Sequence, residues 1–208
     1  MSSIQDQLPR IFQANLARLF DRVILPGMDA LPIHTAFDQS NAATLNEALD
    51  RAAAVVDNYT ANEASKAYTL MLAAVFERQL SIGARAVHPA RATKTGKYQD
   101  LLSICAAHAG IDLGQDGLEA DLMQMFIVAN VVRHGEGASC EKLRNLAPEL
   151  WDDDASDYRH LLAGSPIPSE HLRVGKTDLV RYIRATTRFW GLADPLPMAV
   201  IDPPYRLV

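Results

Sequence analysis

Apolar residues recur at intervals of three and four along most of the chain, the spacing that places side chains on one face of an α-helix. The first such stripe comprises Ile4, Leu8, Ile11, Phe12, Leu16, Leu19, Phe20 and Val23. Pro9 fits best in a first helical turn, so we expect the regular part of this helix to begin near it. Pro26-Gly27 should end the helix, and residues 26–43 predict a long early loop because few apolar positions there are periodic.

Two helices are predicted after this loop. Thr44 and Glu47 form a capping-box pattern, in which two side chains satisfy exposed backbone amides at a helix start. The helix that follows should break near residues 59–62. The longest helical pattern then covers about residues 63–87, and Pro89 begins a basic connector that extends to the next helix.

The middle of the chain shows three shorter helical patterns. One begins at Tyr98 and should be closed by Gly110, since glycine readily adopts the conformation that ends a helix. Asp116, with Glu119, predicts the start of a helix that continues to about Val132. Ser139 is a candidate cap for a third, short helix.

The C-terminal part predicts an acidic turn at residues 152–157, a proline-containing loop and a last helix over about residues 177–190. Gly191 and Pro195 should stop that helix. The apolar tail at residues 199–205 is expected to dock on the domain or on a second subunit. Together these patterns predict an all-α helical bundle that forms one domain over residues 1–208, with a core at 45–150 and a C-terminal loop, helix and tail at 151–208.

Charge is distributed unevenly along the sequence. The 208-residue chain has a formal charge of -5, which is not that of a protein that coats nucleic acid non-specifically. Residues 78–97, however, contain no acid and five cations: Arg78, Arg85, Arg91, Lys94 and Lys97. A second run at residues 173–188 contains five cations and one acid. Such runs are either phosphate-binding faces or ordinary solvated helix surfaces.

Other features bound the class of protein. Cys105 and Cys140 have no metal-ligand spacing and form no disulfide framework, and no pattern indicates a cofactor. The first residues do not resemble a secretory signal. No apolar run approaches the roughly 18 residues of a membrane-spanning helix, so we expect a cytoplasmic protein that has no membrane role.

The strongest candidate for chemistry is the stretch Ala129-Asn130-Val131-Val132-Arg133-His134-Gly135-Glu136-Gly137. Asn130 and His134 lie four residues apart and therefore share one face of a helix, with Arg133 at its border. An imidazole can transfer protons near neutral pH, and a guanidinium can stabilise charge on a phosphate. Metal-independent RNA cleavage needs this pair of functions, because a base must activate the ribose 2′-hydroxyl beside a stabilised phosphate. A basic residue before glycine is also a common helix end that complements the helix dipole.

The pattern Asn130-x-x-x-His134-Gly135 at the end of an apolar helix, with Phe76-Glu77 on an earlier one, resembles the HEPN superfamily. The resemblance covers about residues 45–150. It implies an all-helical and commonly dimeric domain of the kind found in toxin–antitoxin and defence systems. Active members are metal-independent endoribonucleases with an Arg-Asn-x-x-x-His motif.

Carried over to this chain, the resemblance implies that His134 transfers protons and that Asn130 orients it or binds substrate. Glu77 would be the accompanying acid on a facing helix. The motif arginine is replaced by Ala129, and Arg133 is the candidate substitute. The expectations are therefore an endoribonuclease, or a non-catalytic module that binds RNA, a nucleotide or a protein such as an antitoxin, in either case as a homodimer. A helical interaction subunit whose tail docks on a partner is a third possibility.

Overall fold

The computed structural model describes residues 3–34, 42–151 and 168–205, and these form a bundle of packed α-helices. The prediction of an all-α bundle is confirmed for this part of the chain, where extended pairing is limited to a single bridge between Trp151 and Leu172. The helices are α1 (Ile4–Leu19), α2 (Leu25–Asp29), α3 (Leu45–Val87), α4 (Pro89–Ala92), α5 (Tyr98–Ala109), α6 (Leu118–His134), α7 (Ala138–Leu146) and α8 (Lys176–Ala193). Short 3₁₀ turns lie at Gln115–Gly117, Pro148–Leu150 and Pro168–His171. None of these helices is long and apolar enough to cross a membrane.

The boundaries of the first helical region differ from the prediction. Ser3 caps α1, so Pro9 lies inside the helix and not in its first turn. The helix continues through a π-helical turn at Phe20–Ile24 into α2, in which Pro26 occupies the first turn. The expected loop over 26–43 therefore begins only after Asp29, and residues 35–41 of it lie outside the described part of the chain.

Residues 45–87 form one continuous helix, so the predicted break near residues 59–62 is wrong. Its 43 residues span about 65 Å. No proline or glycine interrupts residues 45–82, and two polar residues at the expected break have partners compatible with a helix. Thr60 donates back to the Val56 carbonyl, and the buried Asn62 amide binds another segment of the fold. The predicted start is confirmed, since the Thr44 hydroxyl accepts from the Glu47 amide at 3.2 Å.

Two predicted caps are replaced by glycines. Gly117, with φ +73°, precedes α6, while the Asp116 carboxylate accepts a hydrogen bond from Arg188 at 2.6 Å. Gly137 precedes α7, so Ser139 lies within that helix and does not cap it. Gly110 does close α5 in the left-handed conformation, as predicted.

Helix α8 continues past Gly191 to Ala193, so the predicted stop at Gly191 is wrong. This glycine instead makes room for the tail, because a Cβ there would lie 2.2 Å from the Val200 carbonyl oxygen. Gln13 of α1 donates to the same oxygen at 2.6 Å. The Tyr205 ring then packs edge-on against Phe20 at 5.4 Å. The expected docking of the tail on its own domain is thus observed.

Two hydrophobic clusters organise the bundle. The larger one joins α1, α3, α5, α6 and α8 around Phe76, whose ring contacts Tyr98, Phe189 and Trp190. The smaller one lies at the C-terminal end of α6 and consists of Ile127, Val128, Val131, Cys140, Leu143, Ala147, Leu150, Leu172 and Val174. It fixes the direction in which α6 presents its last turn to solvent.

Candidate functional site

The last turn of α6 is positioned by the smaller cluster and closed by two glycines. Val128 and Val131 anchor its inner face in that cluster. The Gly135 amide donates to the Val131 carbonyl at 2.8 Å, and Gly135 and Gly137 both have positive φ, at +69° and +133°. Glycine adopts such angles without the steric cost that a Cβ imposes. The helix therefore ends at His134, as the sequence indicated.

The three motif side chains at this end have different environments. Arg133 and His134 are exposed, and Asn130 is half-buried. Within the described part of the chain, none of the three makes a side-chain hydrogen bond or an ion pair. Asn130 and His134 thus lie on one face, but no hydrogen bond between them orients the imidazole.

The position where the resemblance requires an arginine lies in the protein core. Ala129 is only 2% exposed and belongs to the larger cluster. A guanidinium at this position would be buried, which is costly without a paired acid. Arg133 lies on the exposed side of the same helix.

Glu77 lies far from His134 along the bundle. Burial, and secondarily the charge of Glu77, raises the pKa of Tyr98, which places this carboxylate near Tyr98. The Tyr98 ring stacks on Phe126 at 4.1 Å, well before the end of α6. In contrast, Asn62 is the α3 residue that contacts the smaller cluster, and fifteen residues of helix, about 22 Å, separate it from Glu77. The structure brings Asn130, Arg133 and His134 together at the end of α6 and leaves Glu77 within α3, at another level of the bundle.

Other residues contact this helix end that the sequence did not single out. Glu136 accepts a hydrogen bond from the Ser169 amide at 2.5 Å. Hydrogen bonds from the Ser169 side chain and then from its backbone lower the pKa of Glu136. Trp151 donates to the Pro168 carbonyl at 3.0 Å, and its ring lies 5.9 Å from the Arg144 guanidinium. Ser169 and Pro168 are distant in sequence from Glu136 and Trp151 and follow no motif with them, so no local pattern could have identified these contacts.

The basic segment, defined as Arg78, Arg85, Arg91, Lys94 and Lys97, forms a second candidate site at the C-terminal end of α3. Arg78 and Arg85 lie on α3, seven residues apart and hence on one face. The other three lie on α4 and the connector to α5. All five side chains are exposed, and none has an ion pair with any described residue.

The connector between α3 and α5 returns along α3. Helices α3 and α5 run in parallel, since Phe76 contacts Tyr98 near the start of α5 and His88 contacts His108 near its end. The chain between His88 and Tyr98 must therefore run back along the outside of both helices. This path places its cations beside the last turns of α3.

The second basic run has a different electrostatic environment. Lys176 pairs with Asp29 at 2.6 Å, and Arg181 approaches Asp121 at 3.4 Å. Arg188 binds both Asp116 and Asp202, at 2.6 and 3.0 Å. Carboxylates from distant parts of the chain thus neutralise much of this run. The basic segment has no such partners in the described structure.

Comparisons with models of protein families, with curated proteins and with solved structures found no match. In the described residues, no three histidine, cysteine or acidic side chains are grouped to hold a metal ion. The residues of the two candidate sites therefore carry the functional inference.

Proposed function

We propose that this protein is a non-catalytic, HEPN-like module that binds RNA through the basic segment. One observation carries the proposal: the five exposed cations have no ion pair in the described structure, whereas acids neutralise much of the second run. Unpaired surface cations bind a polyanion with release of its counterions and need not first break an internal ion pair. RNA is the proposed polyanion because of the resemblance at Asn130-x-x-x-His134-Gly135.

The overall charge of -5 is compatible with such local binding. A protein with this net charge is not attracted to RNA as a whole, so the contact should be confined to the basic segment. Arg78 and Arg85 are about 10 Å apart along the axis of α3, and the connector that returns along this helix adds three cations. This arrangement fits a short stretch of single-stranded backbone.

The proposal assigns no catalysis because the groups needed for proton transfer are not assembled within one chain. A general base requires a fixed position within hydrogen-bond reach of the proton it removes. His134 has no orienting hydrogen bond among the described residues, Ala129 lies in the core, and Glu77 lies at another level of the bundle.

Binding of a labelled single-stranded RNA tests the proposal. Charge reversal at Arg85→Glu and Arg91→Glu should weaken the complex at least tenfold. Lys142→Glu, an exposed lysine on α7, is the matched control and should leave binding nearly unchanged. If the first two variants bind as well as the wild type, the proposed surface is wrong.

A metal-independent endoribonuclease is the second candidate, and one observation favours it. Arg133 and His134 are both exposed at the end of α6 and make no hydrogen bond or ion pair with described residues. They are therefore free to act on a substrate. RNA cleavage in the presence of EDTA, lost in His134→Ala and retained in Lys142→Ala, would establish this activity in place of simple binding.

The proposed module is a homodimer in the cytoplasm. Support for the dimer comes from the first third of α3, where Leu45, Leu49, Ala52 and Val56 form an exposed stripe with the 4-3-4 spacing of a coiled coil. Leu49, 58% exposed, is at its centre. Sedimentation should give twice the chain mass for the wild type and a monomer for Leu49→Glu. A monomeric wild type would instead favour a different protein, such as an antitoxin, as the partner.

A further inference from the structure

A cavity lies at the opposite end of the bundle from the smaller hydrophobic cluster. Its volume is about 280 Å³, and it opens between the first turns of α1 and the last turns of α3, α5 and α8. Its walls are mainly apolar and include Leu8, Phe12, Val87 and Trp190. A cavity of about 150 Å³ lined by apolar side chains is already large enough to bind benzene. The space therefore fits a small ring compound.

Contacts behind the cavity keep its aromatic walls in place. The Trp190 indole donates to the Gln79 side chain at 2.8 Å, and its ring lies 4.9 Å from the Phe12 ring. Gln79 in turn donates to the Phe12 carbonyl at 3.3 Å. Gly83 contributes space, because a Cβ there would lie 3.3 Å from the Trp190 ring. The site is thus preformed and does not depend on a ligand to shape it.

The rim of the cavity presents hydrogen-bond acceptors. Pro9 has no N–H, so the Gln5 carbonyl lacks its donor from the next helical turn, and both residues line the opening. Asp6 accepts from the Ser3 amide through one carboxylate oxygen at 2.7 Å. Its other oxygen accepts no hydrogen bond from the described residues. Among the described lining residues, Asp6 is the only carboxylate, and none is a lysine or arginine. His108 also lines the cavity.

Cys105 also lines the cavity but does not indicate covalent chemistry. Its thiol donates to the Leu80 carbonyl at 3.5 Å, and burial raises the pKa of Cys105 to about 12. A thiol in this state is a poor nucleophile near neutral pH. Cys105 therefore supplies no activated nucleophile to this cavity.

We propose that this cavity binds a small aromatic amine. The ring would lie against the wall formed by Leu8, Phe12 and Trp190, and the ammonium group would donate to the Asp6 carboxylate and the Gln5 carbonyl. An anionic ligand placed at this rim would instead be repelled by the Asp6 carboxylate and would face the Gln5 carbonyl, which cannot donate to it. The proposal is independent of RNA binding, since the basic segment contributes no residue to this cavity.

Two probes of equal ring size test the proposal: 2-phenylethylamine and phenylacetate. Chemical-shift titration of the wild-type protein should show saturable changes at Gly83, Ala109 and the Trp190 indole N–H with the amine. We expect phenylacetate to bind at least tenfold more weakly. Absence of shifts at these residues with the amine, or equal binding of the two probes, would overturn the proposal.

Matched variants locate the binding. Ala109→Leu should fill the cavity and abolish amine binding, whereas Ala107→Leu, exposed on the same helix, should not affect it. Ala86→Leu on α3 serves as a second filling variant if Ala109→Leu does not fold. Asp6→Asn should reduce the preference for the amine over phenylacetate. The proposed site would be contradicted if a folded filling variant still bound the amine. It would also be contradicted if Asp6→Asn kept the full preference for the amine over phenylacetate.

Discussion

The Asn62 side chain, in the middle of α3, accepts a hydrogen bond from the backbone amide of Val174 at 3.0 Å. The side-chain nitrogen of Asn62 also donates to the Leu172 carbonyl at 3.1 Å. One buried side chain thereby pairs with two backbone groups of the segment that leads into α8. It joins this segment to α3 and completes the smaller cluster beneath the end of α6.

Replacement of Asn62 should therefore destabilise the fold. In Asn62→Ala, the Leu172 carbonyl and the Val174 amide lose their partners inside the protein, at a cost of about 1–3 kcal/mol. Chemical unfolding followed by circular dichroism measures this change. Asn46→Ala is the control, because Asn46 is exposed on the same helix. Equal stability of the two variants would show that the buried amide contributes nothing.

The close approach of the tail to α8 makes a second prediction. The Cβ of Gly191→Ala would lie 2.2 Å from the Val200 carbonyl oxygen and 2.7 Å from the Gln13 side-chain nitrogen, so the tail must shift. We expect a loss of about 1–3 kcal/mol in stability, the usual range for overpacking. Limited proteolysis should cut the tail of this variant faster. Gly96→Ala, where an added Cβ meets no atom within 4 Å, should behave like the wild type.

The contact between Glu136 and Ser169 should depend on pH. Hydrogen bonds from Ser169 lower the pKa of Glu136 in the folded state. This contribution to stability is thus fully present above the unfolded-state pKa of about 4.3 and is lost as pH falls through the lower folded value. Protection of the Ser169 amide from hydrogen exchange should fall over that range.

Glu136→Gln should remove most of this pH dependence, whereas Glu141→Gln, an exposed glutamate on α7, should retain it. If protection of the Ser169 amide followed the same pH profile in both variants, Glu136 would not be the residue that holds the segment around Ser169.

The sequence predicted the helices more reliably than their ends. Three-and-four spacing was clear in α1, α3, α6 and α8 and indicated helices there. It did not always indicate burial, since Leu45, Leu49 and Val56 of the α3 stripe are exposed. Helix ends depend on partners distant in the chain. A break was predicted near residues 59–62, yet the helix continues there and the Asn62 amide is paired with Leu172 and Val174. Gly191 was predicted to end α8, yet the helix continues past it, and the missing side chain leaves room for the Val200 carbonyl.

For the candidate sites, too, the sequence predicted the residue types but not their partners in the fold. The five cations of the basic segment could be read from the sequence, but their lack of partners could not. The second basic run looked similar in sequence, and only the fold brings Asp29, Asp116 and Asp121 to its side chains. The separation of Glu77 from His134 likewise depends on how α3 packs against α6, and no local sequence pattern predicts it.

The salt dependence of RNA binding tests the central claim most directly. For a single strand, the slope of log Kobs against log salt is about −0.7 for each phosphate contacted, so five contacts predict about −3.5. Arg78→Gln with Arg85→Gln should reduce the slope to about −2.1, and Lys142→Gln should leave it unchanged. A wild-type slope near zero, or one that both substitutions leave unaltered, would contradict RNA binding through the basic segment.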